Sequence, residues 1–207
     1  MKYLIVLTIK ALLLAGCNHK KEEVKSCCSK EANQISTSDL KESLPGTSVY
    51  QLENIWEVHD GKKLLMSQLA GKPVVLTMIF THCEYACPMM VNDLKKIEAS
   101  FSEEDRKLFT FVLVSFDHLR DTPERLKEYA SSQGLGENWI LLHGDADQVK
   151  ELSVVLNISY EMQENGSFSH SNRKLVLDSQ GTIVYSQEGL QTKSEPVAEA
   201  LKRLLIG

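Results

Sequence analysis

Cys83 and Cys87, separated by three residues, are the strongest chemical signal in the sequence. They follow an apolar run at residues 74–80 and precede Pro88, a residue type that is common in the first turn of a helix. Backbone N–H groups and the macrodipole at a helix N-terminus stabilise a thiolate. A thiolate attacks disulfides and also binds soft metal ions, so the pair predicts either redox chemistry or a metal site.

The spacing of the two cysteines leaves both kinds of chemistry open. A purely structural disulfide is a weak alternative, because closing so short a loop adds little stability. Redox pairs more commonly have two residues between the cysteines. Three intervening residues put the thiols at positions i and i+4, on one side of a helix, where they can form a disulfide or hold one ion together. A selective two-sulfur site needs a third ligand, and thiolate with imidazole suits Cu(I) and Zn(II).

The candidates for a third ligand are the six histidines of the chain. His170 lies in the loop just before a predicted hairpin. His118 follows the second long apolar run and is the reserve candidate. A single histidine is more often a surface or packing residue, so spacing alone does not select His170. The other histidines are His19, His59, His82 and His143.

The order of apolar runs and helical patterns predicts an α/β fold. Apolar runs at residues 74–80, 109–117 and 139–144 are typical of strands buried on both faces. A helical pattern follows each run, and a hairpin and a closing helix end the chain. We therefore expect a central mixed sheet flanked by helices, with an N-terminal strand extension. The chemistry should lie at the carboxyl ends of the parallel strands, where the two cysteines are placed.

The N-terminus is typical of an exported lipoprotein. An apolar segment of 14 residues, interrupted by Lys10, is short for a membrane span, which needs about 20 residues. It suits the apolar region of a signal peptide and ends in Leu-Ala-Gly-Cys, which resembles the bacterial lipobox. We predict a lipoprotein signal peptide at residues 1–16, lipidation of Cys17, a flexible tether at 17–44 and one domain at 45–207.

These features predict a protein of the bacterial cell envelope. Acyl chains on Cys17 would anchor it to a membrane without spanning it, with the domain on the periplasmic or extracytoplasmic side. The net charge of −5 and the lack of a basic stripe argue against a nucleic-acid partner. The adjacent Cys27 and Cys28 in the tether are poorly placed to bridge each other. They are either incidental thiols or a capture point for a soft metal.

Four further stretches agree with one known family. They are "THCEYACP", "SFDHLRDTP", "WILLHGD" and "SHSNRKLVLD". Together with the tethered N-terminus they resemble the SCO/SenC proteins, copper-handling factors of cytochrome c oxidase assembly with a thioredoxin-like fold. The resemblance covers about residues 52–207, and it implies that the domain is thioredoxin-like.

The resemblance also implies a site and a role. By this resemblance, the metal ligands of the protein are Cys83, Cys87 and His170, and its cofactor is copper as Cu(I) or Cu(II). Its implied partner is the copper-bearing subunit of cytochrome c oxidase. Copper would be delivered to the dinuclear centre of that subunit. Two alternatives use the same residues. In one, Cys83 and Cys87 are the catalytic pair of a thiol-disulfide reductase acting on that subunit. In the other, the protein is a copper-linked redox sensor.

Some residues depart from the family pattern or lie beside the predicted site. Glu84, Tyr85, Leu119 and Ser169 differ from the residue types common in the family, which affects the surroundings of the ligands more than the ligands themselves. Arg120 and Asp121 are expected to form a local ion pair near the helix cap Thr122, with support of the site as the alternative. Met89 and Met90 are expected to pack against the sheet.

Overall fold

The computed structural model describes residues 44–206. The strands are β1 (Ile55–Val58), β2 (Lys63–Leu65), β3 (Val74–Ile79), β4 (Thr110–Ser115), β5 (Trp139–His143), β6 (Tyr160–Met162), β7 (Phe168–His170), β8 (Arg173–Leu177) and β9 (Ile183–Glu188). The α-helices are α1 (Ala86–Ala99), α2 (Glu103–Arg106), α3 (Pro123–Ser132), α4 (Ala146–Val155) and α5 (Glu195–Ile206), and short 3₁₀ helices span Val49–Gln51 and Met66–Leu69. Within this part of the chain, no helix combines the length and apolar character needed to cross a membrane.

Seven strands form the main sheet, in the order β2-β1-β5-β4-β3-β8-β9. Strand β4 pairs in parallel with β3 and β5, whereas β1 and β8 join this core antiparallel. Every residue of β3 is buried, as its continuous apolar sequence requires. The predicted mixed α/β sheet with an N-terminal strand extension is therefore confirmed, and β1 and β2 form that extension.

Helix α1 begins earlier than Pro88, so Cys87 lies inside its first turn. Its apolar positions Met90, Leu94 and Ile97 are fully buried, which fixes the helix against the sheet. Met89 is only partly buried, so the expected packing holds fully for Met90 alone.

Two elements were not predicted. One is the short helix α2, and the other is the hairpin of β6 and β7, which forms a separate two-stranded sheet that ends at His170. Its two strands are only three residues long, so the alternation of apolar and polar residues at 158–162 is a short signal. The predicted signal peptide, Cys17, Cys27 and Cys28 lie outside the described residues.

The start of the domain is joined to the turn between β8 and β9. Ser48 donates to the carbonyl oxygen of Gln180 at 2.5 Å, and the Val49 N–H donates to that of Gly181 at 3.0 Å. Gly181 has a positive φ of +81°, and a Cβ at this position would lie 2.5 Å from ring carbons of Tyr50. Only glycine fits both the backbone angle and the close approach of the ring.

Candidate metal centre

Two thiols and one imidazole converge where the carboxyl end of β3 meets the end of β7. The ligand atoms of Cys83, Cys87 and His170 all lie within 4.8 Å of one another. Cys83 is half-buried, Cys87 is buried, and both are free thiols. The structure thus brings together the three residues for which the resemblance implied a common site.

The start of α1 gives the two thiols different environments. The Cys87 N–H donates to the Cys83 sulfur at 3.2 Å, as expected for a thiolate at a helix N-terminus. A hydrogen bond from the Cys87 thiol, together with smaller contributions from His170 and backbone N–H groups, lowers the pKa of Cys83 to about 3 against the effect of burial. The same hydrogen bond, followed by burial, raises the pKa of Cys87. The pair therefore shares one proton, which Cys87 holds.

The imidazole of His170 is oriented by its own backbone neighbourhood. Its Nδ1 lies 3.0 Å from the carbonyl oxygen of Ser171, which can only accept, so Nδ1 carries the proton. Nε2, the other ring nitrogen, faces the thiols and lies 3.7 Å from the Cys87 sulfur. Rings of Phe116 and Phe80 pack beside the imidazole, with centroids 4.9 and 6.1 Å away. The histidine thus presents a preoriented nitrogen to the thiols.

A buried carboxylate holds the loop that carries Cys83. Asp121 accepts hydrogen bonds from the Thr81 N–H at 2.8 Å, the Thr81 hydroxyl at 2.6 Å and the Ser115 hydroxyl at 2.6 Å. Arg125 in turn donates to the Thr81 hydroxyl at 3.0 Å. These bonds join the end of β4 to Thr81, which follows β3 and lies two residues before Cys83. Sequence reasoning missed Thr81 and Ser115, although a polar residue at the end of each buried strand was the available signal.

Arg120 connects the site to the unpredicted hairpin. Its Nε donates to the carboxylate of Asp117, and its Nη2 donates to the carbonyl oxygen of Gly166 at 2.7 Å. The prediction of an ion pair between Arg120 and Asp121 is therefore wrong, because the Asp121 side chain turns inward to the strand ends. The cap is confirmed, since the Thr122 side chain accepts from the Arg125 N–H.

The reserve candidate His118 does not join the three donors. A second group formed by His82, Asp117 and Asp121 lies nearby, but its two carboxylates are already engaged by the hydrogen bonds and the ion pair described above. Glu84 and Tyr85, which depart from the family pattern, are exposed, and Tyr85 helps to line an open cavity of about 600 Å³ beside Cys83 and His170. The site is thus accessible to an ion or a partner from one side.

The sheet topology and the converging thiols and imidazole define a thioredoxin-like domain with a candidate soft-metal site. The family model SCO1/SenC matches residues 48–206, and the chain belongs to this family.

Relatives agree with this assignment. A candidate copper-binding protein of Stutzerimonas stutzeri is 29% identical over 119 residues, which span 56% of this chain and 57% of that protein, so little more than half of its length is matched. A SCO1/SenC family lipoprotein from Bacillus anthracis is 27% identical, with a TM-score of 0.67 over 73% of this chain and 92% of the other. Yeast Sco1 with copper bound, 20% identical, shares the fold with a TM-score of 0.64 over 74% and 86% of the two chains.

Proposed function

We propose that this protein is a copper chaperone in which Cys83, Cys87 and His170 hold one copper ion. The observation that carries the proposal is the convergence of two sulfurs and one preoriented imidazole nitrogen within 4.8 Å. Thiolate and imidazole together select soft or borderline ions such as Cu(I), and imidazole also suits Cu(II). The family resemblance, and the description of the Stutzerimonas relative as a candidate copper-binding protein, support copper over zinc.

The spacing of the donors fits a single ion. With bonds of about 2.3 Å to sulfur and 2.0 Å to nitrogen, the lengths that Zn²⁺ takes, the 3.7 Å between Cys87 Sγ and His170 Nε2 corresponds to an angle of roughly 120°. That angle suits a three-coordinate ion. Cys83 is available as thiolate, and Cys87 must release its proton when the ion binds.

Delivery needs a site that a partner can reach. Cys83 borders the open cavity, so a cysteine of an incoming protein could replace it at the ion in a ligand exchange. We infer that the recipient is the copper-bearing subunit of cytochrome c oxidase, at its dinuclear centre, as the family resemblance implies. A lipid on Cys17 would hold the protein at a membrane of the cell envelope, with the domain on the extracytoplasmic side. The similarity to a Bacillus anthracis lipoprotein supports this placement.

The direct test is a copper titration of purified, anaerobically reduced protein. Since Cys27 and Cys28 also offer thiols, the parent for this test carries serine at both positions. We expect one equivalent of Cu(I) to bind in competition with a chromophoric chelator, and none after Cys83→Ser with Cys87→Ser. Copper should then pass to the soluble domain of an oxidase copper subunit. A parent that binds no copper would refute the proposal.

A thiol-disulfide reductase is the second candidate, and the unequal thiols favour it. Cys83 as thiolate can attack a disulfide, form a mixed disulfide and release one substrate thiolate. Cys87 must then lose its proton, which the released thiolate can take up, before it attacks the Cys83 sulfur, releases the second substrate thiol and leaves a Cys83–Cys87 disulfide. The two functions separate in His170→Ala. Reductase activity on a model disulfide should survive this change, whereas copper affinity should fall at least about 100-fold. Rapid disulfide reduction by a protein that binds no copper would establish the reductase in place of the chaperone.

A further inference from the structure

An ion pair is buried inside the domain, away from the candidate metal centre. Lys174 is 0% exposed and Asp93 is 2% exposed. The Lys174 ammonium donates to the Asp93 carboxylate at 3.2 Å and to the carbonyl oxygen of Gly189 at 2.9 Å. Lys96, which is largely exposed, approaches the other oxygen of Asp93 at 3.6 Å. Burying two charges is costly even when they are paired, so the pair calls for an explanation other than stability.

The two residues lie on the two segments that supply the metal donors. Asp93 is on α1, six residues beyond Cys87, or about 9 Å along the helix. Lys174 is on β8, four residues beyond His170. Cys87 and His170 are 83 residues apart in the chain, and their approach depends on how α1 sits against β8. The ion pair is a direct polar link between these two elements.

We propose that the buried pair of Lys174 and Asp93 positions α1 against β8 and thereby sets the separation of Cys87 and His170. The proposal deepens the proposed function and rests on it. Neither residue touches a donor atom, so both act as positioning residues. An apolar pair could fill the same space, but it would allow small shifts of the helix along the sheet, whereas the hydrogen bonds to Asp93 and Gly189 fix one alignment.

The test separates positioning from stability by comparing single and double variants. Lys174→Met or Asp93→Leu removes one member of the buried pair and should lower Tm by on the order of 10 °C. In Lys174→Met, only the largely exposed Lys96 remains near the Asp93 carboxylate. The double variant Asp93→Leu with Lys174→Met removes both charges of the pair and should recover most of that loss. Its copper affinity should nevertheless remain at least about tenfold weaker than that of the parent, because outer groups that orient ligands typically have such effects.

A second measurement does not need copper. The His170 ring lies beside Phe116, at a centroid distance of 4.9 Å, so its protons should have a ring-current shift in NMR spectra of the metal-free protein. In the double variant these shifts should move toward the values of a free histidine. If the parent binds no copper, the proposed function fails, but the shifts still decide whether the pair positions His170.

Lys96→Met is the matched control, because it removes an exposed cation from the same carboxylate. It should leave Tm, copper affinity and the His170 shifts unchanged. Three results would overturn the proposal. The first is a double variant that regains its stability and has the same His170 shifts and copper affinity as the parent. The second is a Lys96→Met variant whose His170 shifts change as much as those of the double variant. The third is a double variant that does not fold. The last result would mean that folding itself requires the pair.

Discussion

His170 Nε2 lies 3.7 Å from Cys87 Sγ, although 83 residues separate the two in the chain. The main sheet makes this possible, because β8 pairs antiparallel with β3. The start of β8, just after His170, therefore lies at the same edge as the end of β3, just before the cysteines. The proposed site is thus formed by the strand order, which brings together residues that are distant in the chain.

Replacement of His170 by alanine tests the donor set. We expect copper affinity to fall at least about 100-fold, since the change removes a proposed ligand and not merely a group that orients one. The fold should be retained, because the imidazole lies at the edge of the domain. Competition with a chelator and absorption spectra of the Cu(II) complex measure the loss. His118→Ala is the matched control, and an equal loss in that variant would contradict the assignment.

The unequal thiols predict selective alkylation of Cys83 at acidic pH. An ordinary thiol loses roughly 10³-fold in reactivity between pH 8 and pH 5, because its thiolate fraction falls. Cys83, with its pKa lowered to about 3 by the Cys87 thiol, should react at a nearly constant rate over this range. Mass spectrometry after brief treatment with iodoacetamide identifies the modified residue. Preferential labelling of the buried Cys87, or a labelling rate that falls steeply below pH 8, would disprove the predicted difference between the two thiols.

The same pKa shift predicts how stability depends on pH. Between about pH 3 and the ordinary cysteine pKa near 8.5, Cys83 is a thiolate in the folded chain and a protonated thiol in the unfolded chain. The unfolded state then binds more protons, so the contribution of Cys83 to the free energy of unfolding rises with pH and is lost toward pH 3. Urea unfolding of the parent and of Cys83→Ala at several pH values measures it. A difference between the two proteins that does not change with pH would exclude this linkage.

The sequence predicted the elements that local pattern determines. Continuous apolar character marked β3 and β4, and the cysteines could be placed after β3 because β-α loops lie at the carboxyl edge. Spacing alone could not select His170, since its approach depends on the pairing of β8 with β3. Lys174 also escaped prediction, because a lysine within a strand normally indicates a solvent-facing position and its partner Asp93 is 81 residues away.

Asp121→Asn should loosen the loop that carries Cys83. The carboxylate accepts three hydrogen bonds from Thr81 and Ser115, and an amide can offer only one oxygen to them. The amide nitrogen would face a donor inside the protein, so we expect unfolding to become easier by about 2–4 kcal/mol. Chemical denaturation measures this change. The surface variant Asp60→Asn should change the free energy of unfolding by less than about 0.5 kcal/mol. If Asp60→Asn lost as much stability as Asp121→Asn, the special role of the Asp121 hydrogen bonds would be contradicted.

Gly181→Ala tests how the start of the domain is joined to the β8–β9 turn. The added Cβ would lie 2.5 Å from the ring of Tyr50 and would also meet the positive φ of +81°. Backbone strain and the clash together should lower the free energy of unfolding by about 2–4 kcal/mol. Gly61→Ala is the control, because its φ of +87° is similar but nothing lies within 4 Å of the new Cβ. That change should cost only the strain, about 1–2 kcal/mol. The difference between the two variants in urea unfolding isolates the contact with Tyr50, and equal losses would show that the close approach contributes nothing.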